Sequence, residues 1–434
     1  MTTQLVTHTL QEWEELVLPG VTLTTADRAL AGKLGDAGGG RLLVEELRAG
    51  VRIRSFSWVG VACFEAFEVR IKPKLVGGES GVLRMLDATS GLEALKKQGG
   101  RPWIEPESTT LFDLIVRLLA DACDRVVRGG LLTDYVQYEE ELPVLRGRLL
   151  VDRQVLQRKG RLDRLWCRFD ERDPNIPENQ LLAAALLVAR GKVRDARLSR
   201  HVRQLSAVFE AVTELSDLAF PQRVFEYNRL TEHYREPHFL AKLVLDGLGV
   251  HDLSKIGKTR CFAFLLDMNR LFELFVFKLI QLVVARTQWR VRYQARDRSL
   301  LWDVPASRPY GSVIPDLLLE GRGIDKHRLP VDAKYKSYDL KKISPADLYQ
   351  GAIYAWAYAG TSHGIGVTTI VCPTAAEDAP VGTIEVRRGL ERLGRIIVAP
   401  VHILRALDEL ERRCRGGECA KLASLLGIAA GRAA

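Results

Sequence analysis

The feature of the sequence that most restricts the fold is a pair of short apolar segments on either side of residue 325. The first runs from Ile314 to Glu320 and the second from Pro330 to Lys336. Each has the length of a β-strand, and the stretch between them opens with Gly321-Arg322-Gly323 and stays polar, which is typical of a turn. The sequence therefore predicts two neighbouring strands of a largely buried sheet.

Both segments carry charged residues near one end. Because side chains alternate between the two faces of a strand, Asp332 and Lys334 should share a face, with Ala333 behind them. If the two strands pair, Asp316 can reach the same side. Two carboxylates about 4 Å apart repel by roughly 4 kcal/mol at a protein-like effective dielectric constant. The arrangement therefore calls for a compensating positive charge.

A divalent cation offsets this repulsion better than one lysine does. Oxygen ligands select Mg²⁺ or Mn²⁺ rather than zinc. A Mg²⁺ held by two acids beside a lysine is equipped to hydrolyse phosphodiesters, because the metal activates water while the lysine orients it or stabilises the oxyanion. From these residues alone, a surface hairpin with solvated charges explains the pattern equally well.

The whole chain sets further bounds. Its 434 residues predict two or three domains, and its net charge of +9 favours a polyanionic partner without requiring one. The seven cysteines are scattered without zinc spacing, which predicts reduced thiols in a cytoplasmic protein. The most apolar window, Leu271 to Ala285, is interrupted by Glu273, Lys278 and Gln281. It predicts a buried helix and no membrane span.

Composition and periodicity divide the chain into four parts within an α/β class. Residues 1–150 predict a β-rich N-terminal module, because Val51 to Val61 and Phe67 to Lys74 alternate like strands. Residues 151–255 predict a helical middle region. Residues 256–415 predict a C-terminal domain that begins with a helix over 260–286, and residues 416–434 form a tail.

The middle region offers two further candidates. Eight basic residues lie between Arg146 and Arg168 against only Asp152 and Asp163. They predict a face for DNA phosphates or for an acidic partner, and a solvated basic helix or hairpin remains an alternative. His233 and His238 have no cysteine nearby, and we interpret them as surface or capping residues.

One stretch imitates a nucleotide-binding loop. Gly257-Lys258-Thr259 looks like the end of a Walker A motif, but Asp252 stands where the first glycine of that motif is required. We therefore expect that this chain binds no nucleotide through a P-loop of its own.

The order of elements from residue 260 carries a resemblance. Helix, three strands, helix and strand, with Pro315-Asp316 and Asp332-Ala333-Lys334 on the last two of those strands, resemble the α-β-β-β-α-β core of PD-(D/E)xK nucleases, a mixed sheet flanked by helices. The next predicted helix, Pro345 to Tyr358, carries Gln350 and, one turn later, Tyr354. This pair resembles the Q-x-x-x-Y element of the RecB-like branch, which supports the metal site and contacts the DNA backbone.

The resemblance extends to one family. The stretch Leu265 to Glu273, together with the motifs already quoted and Asp347-Leu348-Tyr349-Gln350, is similar to the McrC family, the nuclease subunits of modification-dependent restriction systems. Shorter similarities occur earlier in the chain, at Ile71–Lys74, Leu145–Arg148 and Pro177–Gln180. The family implies a separate partner, a McrB-like AAA+ GTPase ring that recognises modified DNA and translocates on it. The N-terminal part of such chains docks into the ring and stimulates its hydrolysis.

The resemblance also implies roles for single residues. Asp316 and Asp332 would hold Mg²⁺, with the Ala333 carbonyl and Glu273 as further ligands. Lys334 would orient the attacking water, and Gln350 would brace the site. Contacts to double-stranded DNA would come from Lys336, Lys341, Lys342 and Tyr354.

Two other functions fit the same residues. One is a RecB-like repair nuclease that works with a different motor. The other is a non-cleaving assembly factor that grips DNA and activates an AAA+ ring. The intact acids and lysine favour cleavage over the second alternative.

Overall fold

The computed structural model describes residues 6–35, 40–90, 110–159, 161–215, 224–248, 261–321, 327–336, 338, 342–359 and 365–428. Within these ranges the chain is mixed α/β, with several sheets and eleven α-helices. The predicted α/β class is therefore confirmed at this level. No helix in these ranges has the length and apolarity needed to cross a bilayer. The Walker-like stretch at 257–259 and Lys341 lie outside the described residues.

The helices are Thr25–Gly35 (α1), Gly78–Ser90 (α2), Leu111–Gly129 (α3), Val151–Arg158 (α4), Pro177–Ala189 (α5), Ala196–Glu210 (α6), Arg235–Gly247 (α7), Met268–Val284 (α8), Pro345–Ala357 (α9), Ile403–Arg412 (α10) and Gly417–Leu425 (α11). The strands are Val6–Gln11 (β1), Glu15–Pro19 (β2), Leu42–Leu47 (β3), Gly50–Ser55 (β4), Trp58–Cys63 (β5), Phe67–Lys72 (β6), Asp134–Leu142 (β7), Arg148–Leu149 (β8), Leu165–Asp173 (β9), Phe262–Asp267 (β10), Trp289–Tyr293 (β11), Trp302–Asp303 (β12), Arg308–Pro309 (β13), Leu317–Gly321 (β14), Arg328–Ala333 (β15), Gly366–Thr374 (β16), Gly382–Arg388 (β17) and Glu391–His402 (β18).

These elements form two compact units. Unit 1 contains residues 1–60, 66–104 and 265–434, and unit 2 contains residues 61–65 and 105–264. The N-terminal strands thus belong to the same unit as the C-terminal domain, so the boundary expected at residue 150 does not separate two compact units. The physical reason is contact between segments distant in sequence, for example between Glu12 and Tyr335. The roles assigned to the four predicted parts remain predictions.

The largest sheet of unit 1 has the order β11-β14-β15-β16-β18-β17. Strands β11, β14 and β15 are antiparallel neighbours, whereas β15, β16 and β18 run parallel. Helix α9 lies between β15 and β16 in the chain and packs on β16 and β18. Its start is defined by Ser344, whose hydroxyl accepts a hydrogen bond from the Asp347 N–H and caps the helix.

The prediction of a helix over residues 260–286 is wrong for its first residues. Residues Phe262–Asp267 form strand β10, and the helix starts at Met268, where the Asp267 carboxylate caps it. A short apolar run fits a buried strand as well as a helix, and periodicity alone does not distinguish the two. In the described part of the segment 416–434, helix α11 packs on α8 and β18.

Unit 2 contains a group of helices and a small sheet of order β7-β9-β8. Helix α3 begins with a full capping box between Thr110 and Asp113, and its apolar face is buried. Contrary to its predicted surface position, His238 is fully buried. It lies between helices where Tyr227 and the Glu178 carbonyl hydrogen-bond its two ring nitrogens, so burial of α7 overrides the polar character of the residue. His233 is exposed, as predicted.

The basic stretch of unit 2 lies on the β7-β9-β8 sheet and on α4. Several of its arginines form salt bridges with acids, namely Arg146 with Glu171, Arg153 and Arg168 with Glu139, and Arg158 with Glu141 and Asp163. Part of the positive charge is therefore neutralised within the unit. The face for DNA or an acidic partner remains a prediction, and so does the solvated alternative.

Candidate functional site

The site lies where β14 begins and β15 ends, in the middle of the largest sheet of unit 1. Leu317 pairs with Val331 in the antiparallel register, so the next position outward sets Asp316 opposite Asp332. On its other side β15 pairs in parallel with β16, and the Lys334 N–H continues that pairing to the Val371 carbonyl at 2.9 Å. The strand pattern that predicted the two segments therefore also positions their charged residues.

The three predicted groups meet at this point. The Lys334 Nζ lies 2.9 Å from Asp332 Oδ2, and the Ala333 N–H donates to Asp316 Oδ2 at 2.8 Å. Asp332 is 1% exposed, and its carboxylate lies beside Lys334 and the Asp316 carboxyl group, with no further hydrogen-bond partner in the part of the chain that the structure describes. A buried carboxylate with so few partners is costly, and it is well suited to receive a cation.

The pKa values follow from this crowding. Burial raises the pKa of Asp316 to about 8, and the charge of Asp332 adds to the rise, while the Ala333 N–H opposes it. Burial alone would lower the pKa of Lys334, but the Asp332 carboxylate outweighs it and holds that pKa above its ordinary value. The pair of acids therefore resists carrying two negative charges unless more positive charge is brought near.

Glu273 lies on α8 at the edge of this group. It accepts a hydrogen bond from the Gln294 side chain at 2.8 Å, and its charge helps to raise the pKa of Asp316. Among the described residues, no three His, Cys, Asp or Glu side chains gather closely enough to hold a metal ion. The acids that face each other are Asp316 and Asp332, and the part of Glu273 as a further ligand stays a prediction.

Helix α9 supports the site through two side chains one turn apart. The Gln350 amide donates to the Tyr354 hydroxyl at 2.9 Å, and that hydroxyl donates to the Ile314 carbonyl at 3.0 Å. Ile314 stands two residues before Asp316, so the pair fixes the backbone that leads into the acid. Tyr354 is only 6% exposed, and its contact with the DNA backbone stays a prediction.

An open groove lies next to Gln350 and Tyr354. Its volume is about 560 Å³, and it is lined by the segment Ser312–Ile314 on one side and by α9 on the other. Gln350 and Tyr354 both line it. Ile314, which also lines the groove, stands two residues before Asp316.

Asp347, the first residue of the Asp347–Gln350 motif, had no predicted role. Asp347 is buried, and its Oδ2 accepts from Lys336 Nζ at 2.8 Å and from the hydroxyls of Tyr338 and Ser344. Burial alone would raise the pKa of Asp347, but these hydrogen bonds hold it below its ordinary value. The signal in the sequence was the spacing Ser344-x-x-Asp347 of a helix start. Lys336 is thus paired with Asp347, and both Lys336 and Lys342 are exposed.

Comparison with known proteins agrees with the motifs. The model of the family described as McrBC 5-methylcytosine restriction system component matches residues 53–365. No curated protein matches the chain. A solved structure of similar fold is the refined half-complex from the tetradecameric assembly of Thermococcus gammatolerans McrB AAA+ hexamers with bound McrC. Its TM-score is 0.63 at 20% identity, and the match covers 97% of this chain and 100% of that chain.

A second solved structure, the Thermococcus gammatolerans McrBC complex determined by cryo-EM, matches with a TM-score of 0.46 at 23% identity over 65% of this chain and 89% of that chain. At these identities the structural likeness of the first match establishes a shared fold. The family model covers well over half of the chain, and the resemblance to McrC seen in the motifs is thereby confirmed. The chain belongs to the family of McrBC 5-methylcytosine restriction system components.

Proposed function

We propose that this chain is a Mg²⁺-dependent DNA endonuclease subunit of a McrBC-like, modification-dependent restriction system. The observation that carries the proposal is the buried pair Asp316 and Asp332 with Lys334 on the same side. The mixed sheet with α9 between β15 and β16 supports a PD-(D/E)xK core. Family membership supports the restriction system.

The residues present fit a hard divalent cation. The donors are all oxygens, and the Asp332 carboxylate is buried, with Lys334 as its ion-pair partner and the Asp316 carboxyl group beside it. Asp316, Asp332 and the Ala333 carbonyl would hold Mg²⁺, with Mn²⁺ as a substitute and Glu273 as a further ligand. When bound, the ion would supply positive charge that activates water and neutralises the scissile phosphate.

The protein's own groups do the rest. Lys334 is protonated, and its ion pair with Asp332 directs Nζ to the side of the acids, where it would orient the attacking water by donating a hydrogen bond. Gln350 and Tyr354 would keep Asp316 in place through the Ile314 carbonyl. Lys336 and Lys342 would contact phosphates of double-stranded DNA, and Lys341 was predicted to join them.

The active-site variants test this directly. Asp332→Ala and Lys334→Ala should each lower Mg²⁺-dependent cleavage of modified DNA by roughly 100-fold or more, because each removes charge that acts at the reacting phosphate. Asp378→Ala and Lys33→Ala change exposed residues of the same types and should cut normally. Circular dichroism should show that all four variants are folded. Cleavage by Asp332→Ala at the wild-type rate would remove the assignment.

The partner is a second part of the proposal. The solved assembly of similar fold is described as McrB AAA+ hexamers with bound McrC, and this supports a McrB-like AAA+ GTPase ring as the partner of the present chain. Pull-down of the ring, followed by GTP hydrolysis with and without this chain, tests it. We expect stimulation of hydrolysis by wild type and by Asp332→Ala alike. A wild-type chain that stimulates the ring and binds DNA but never cuts would be the non-cleaving activator.

A further inference from the structure

Near the N-terminus, the buried carboxylate of Glu12 contacts Tyr335, the residue that follows Lys334. Glu12 follows β1 and is 1% exposed. Its Oε2 accepts a hydrogen bond from the Lys74 backbone N–H at 2.8 Å and another from the Tyr335 hydroxyl at 3.0 Å. Its Oε1 has no hydrogen-bond partner in the described part of the chain. Both ends of this contact belong to unit 1, although 323 residues separate them.

The position of Glu12 is fixed by strand pairing. β1 and β6 run parallel, with Gln11 opposite Lys72, so Glu12 and Lys74 leave the sheet at the same end. Trp13, the next residue, is half-exposed and has a left-handed backbone with φ of 65°. The Ser55 hydroxyl donates to the Gln11 carbonyl and closes this turn. The geometry directs the Glu12 side chain inward.

Tyr335 connects Glu12 to the site. It follows Lys334 directly, it is 2% exposed, and its ring packs against Phe272 of α8 at a centroid distance of 5.7 Å. Strand β15 ends at Ala333, and the Lys336 N–H donates to the Lys334 carbonyl at 2.8 Å, which closes a tight turn centred on Tyr335. Anchoring the Tyr335 side chain therefore fixes the backbone that carries Lys334. The backbone of Leu75 also lies near the Tyr335 hydroxyl. The N-terminal segment therefore surrounds the polar end of this tyrosine.

We infer that Glu12 is a positioning residue for the proposed nuclease site, because it fixes Tyr335 and thereby the direction of Lys334. The inference rests on the function proposed above. A purely structural role would be served better by an apolar side chain, since an incompletely paired buried carboxylate opposes folding. Burial raises the pKa of Glu12 to about 7, which is consistent with that conflict. The N-terminal strands would then complete the catalytic geometry.

The first experiment measures cleavage by the full chain with its ring partner. Glu12→Leu fills the space but removes the acceptor, and it should lower kcat by roughly ten- to a hundredfold with KM for DNA unchanged. Glu12→Gln retains an acceptor oxygen and should restore most of the rate. Tyr335→Phe should act in the same direction as Glu12→Leu, and the double variant should be no slower than the slower single variant.

Two controls separate positioning from stability. Met85 is a buried residue of α2, and Met85→Ala leaves a cavity there while it leaves Glu12 unchanged. Its cleavage rate therefore shows the effect of a loss of stability alone. Glu15→Gln changes an exposed neighbour on β2 and should behave as wild type. A Glu12→Leu variant with wild-type kcat, or with a loss of rate no larger than that of an equally destabilised Met85→Ala, would overturn the inference.

A second measurement does not depend on cleavage. Acylation of Lys334 by an amine-reactive ester, followed by mass spectrometry, reports how firmly the ammonium is held against Asp332, with exposed Lys33 as internal reference. Glu12→Leu should speed the labelling of Lys334 severalfold, and Glu12→Gln should not. Unchanged labelling in Glu12→Leu contradicts the positioning role. If the wild-type chain cuts no DNA, the proposed function fails, and the labelling result still decides the role of Glu12.

Discussion

His238 is buried in unit 2 in a place where a charge would be unfavourable. Tyr227 donates to one ring nitrogen at 3.0 Å, and the other donates to the Glu178 carbonyl at 3.0 Å, so the neutral ring satisfies both partners. Burial lowers the pKa of His238 to about 4, and nearby Lys242 lowers it further while the Glu178 carbonyl opposes the shift. The folded chain therefore binds this proton more weakly than the unfolded chain does.

This shift predicts a loss of stability in acid. The contribution of His238 is complete above pH 6.5 and is lost as the pH falls from about 6.5 toward 4, because the unfolded chain takes up the proton first. The loss over this window is on the order of 3 kcal/mol. Urea unfolding of unit 2 at pH 7.5, 6 and 5 should show a steeper fall in wild type than in His238→Gln. His233→Gln, at the exposed neighbour, should keep the wild-type slope, and equal slopes in all three proteins would contradict the prediction.

At the scale of single residues, the alternation of a strand was enough to find Asp316, Asp332 and Lys334. The placement of Asp316 opposite Asp332 follows from the register of two short segments. Glu12 could not be found in this way, because its partner Tyr335 is brought close by folding of the whole of unit 1. The buried state of His238 depends likewise on helices packed around it.

At the scale of elements, helices with a strong period and a cap were predictable, and so were short apolar strands bounded by turn residues, such as β14 and β15. A short apolar run without such bounds was not. Helix α9 begins at Pro345, as predicted, and Ser344 caps it. Strand β10 was taken for helix because the run Phe262–Asp267 is apolar throughout, as buried strands are. Only its pairing in the sheet β1-β6-β5-β10 distinguishes the two, and pairing is a long-range property.

The contact between α9 and β16 leads to a second prediction. Gly366 begins β16, and a Cβ at this residue would lie 1.8 Å from the Ala355 carbonyl oxygen of α9. Gly366→Ala would therefore force apart the helix that carries Gln350 and the strand beside β15. We expect a loss of about 3 kcal/mol in stability and a large fall in cleavage.

Thermal unfolding and a cleavage assay measure both effects of Gly366→Ala. Gly32→Ala is the matched control, because a Cβ at Gly32 of α1 meets nothing within 4 Å. Alanine is the better helix former, so this control should gain up to about 1 kcal/mol. A Gly366→Ala protein as stable and active as wild type would show that α9 and β16 can separate freely.

At the scale of the whole molecule, unit 1 is built from both ends of the chain. Helix α2 packs on α8 and α10, and Arg84 of α2 forms salt bridges with Asp408 at 2.6 Å and Glu411 at 2.7 Å. The Ser57 hydroxyl accepts a hydrogen bond from Asn269 at the start of α8. The C-terminal part therefore depends on residues that precede it by more than 200 positions.

The dependence predicts that the C-terminal part does not fold alone. A fragment of residues 261–434 loses the cover of α2, whose buried side chains include Val82, Leu83, Met85 and Leu86. At about 2 kcal/mol for each such side chain, the loss is roughly 8 kcal/mol, which is comparable to the whole stability of a typical domain. The fragment should show weak near-ultraviolet circular dichroism and rapid proteolysis, while the full chain resists. Cooperative unfolding of the fragment at the full-length midpoint would instead make the region after residue 256 an independent domain. The stability of that region would then not require the N-terminal strands, and binding of the ring would be the one role left to them.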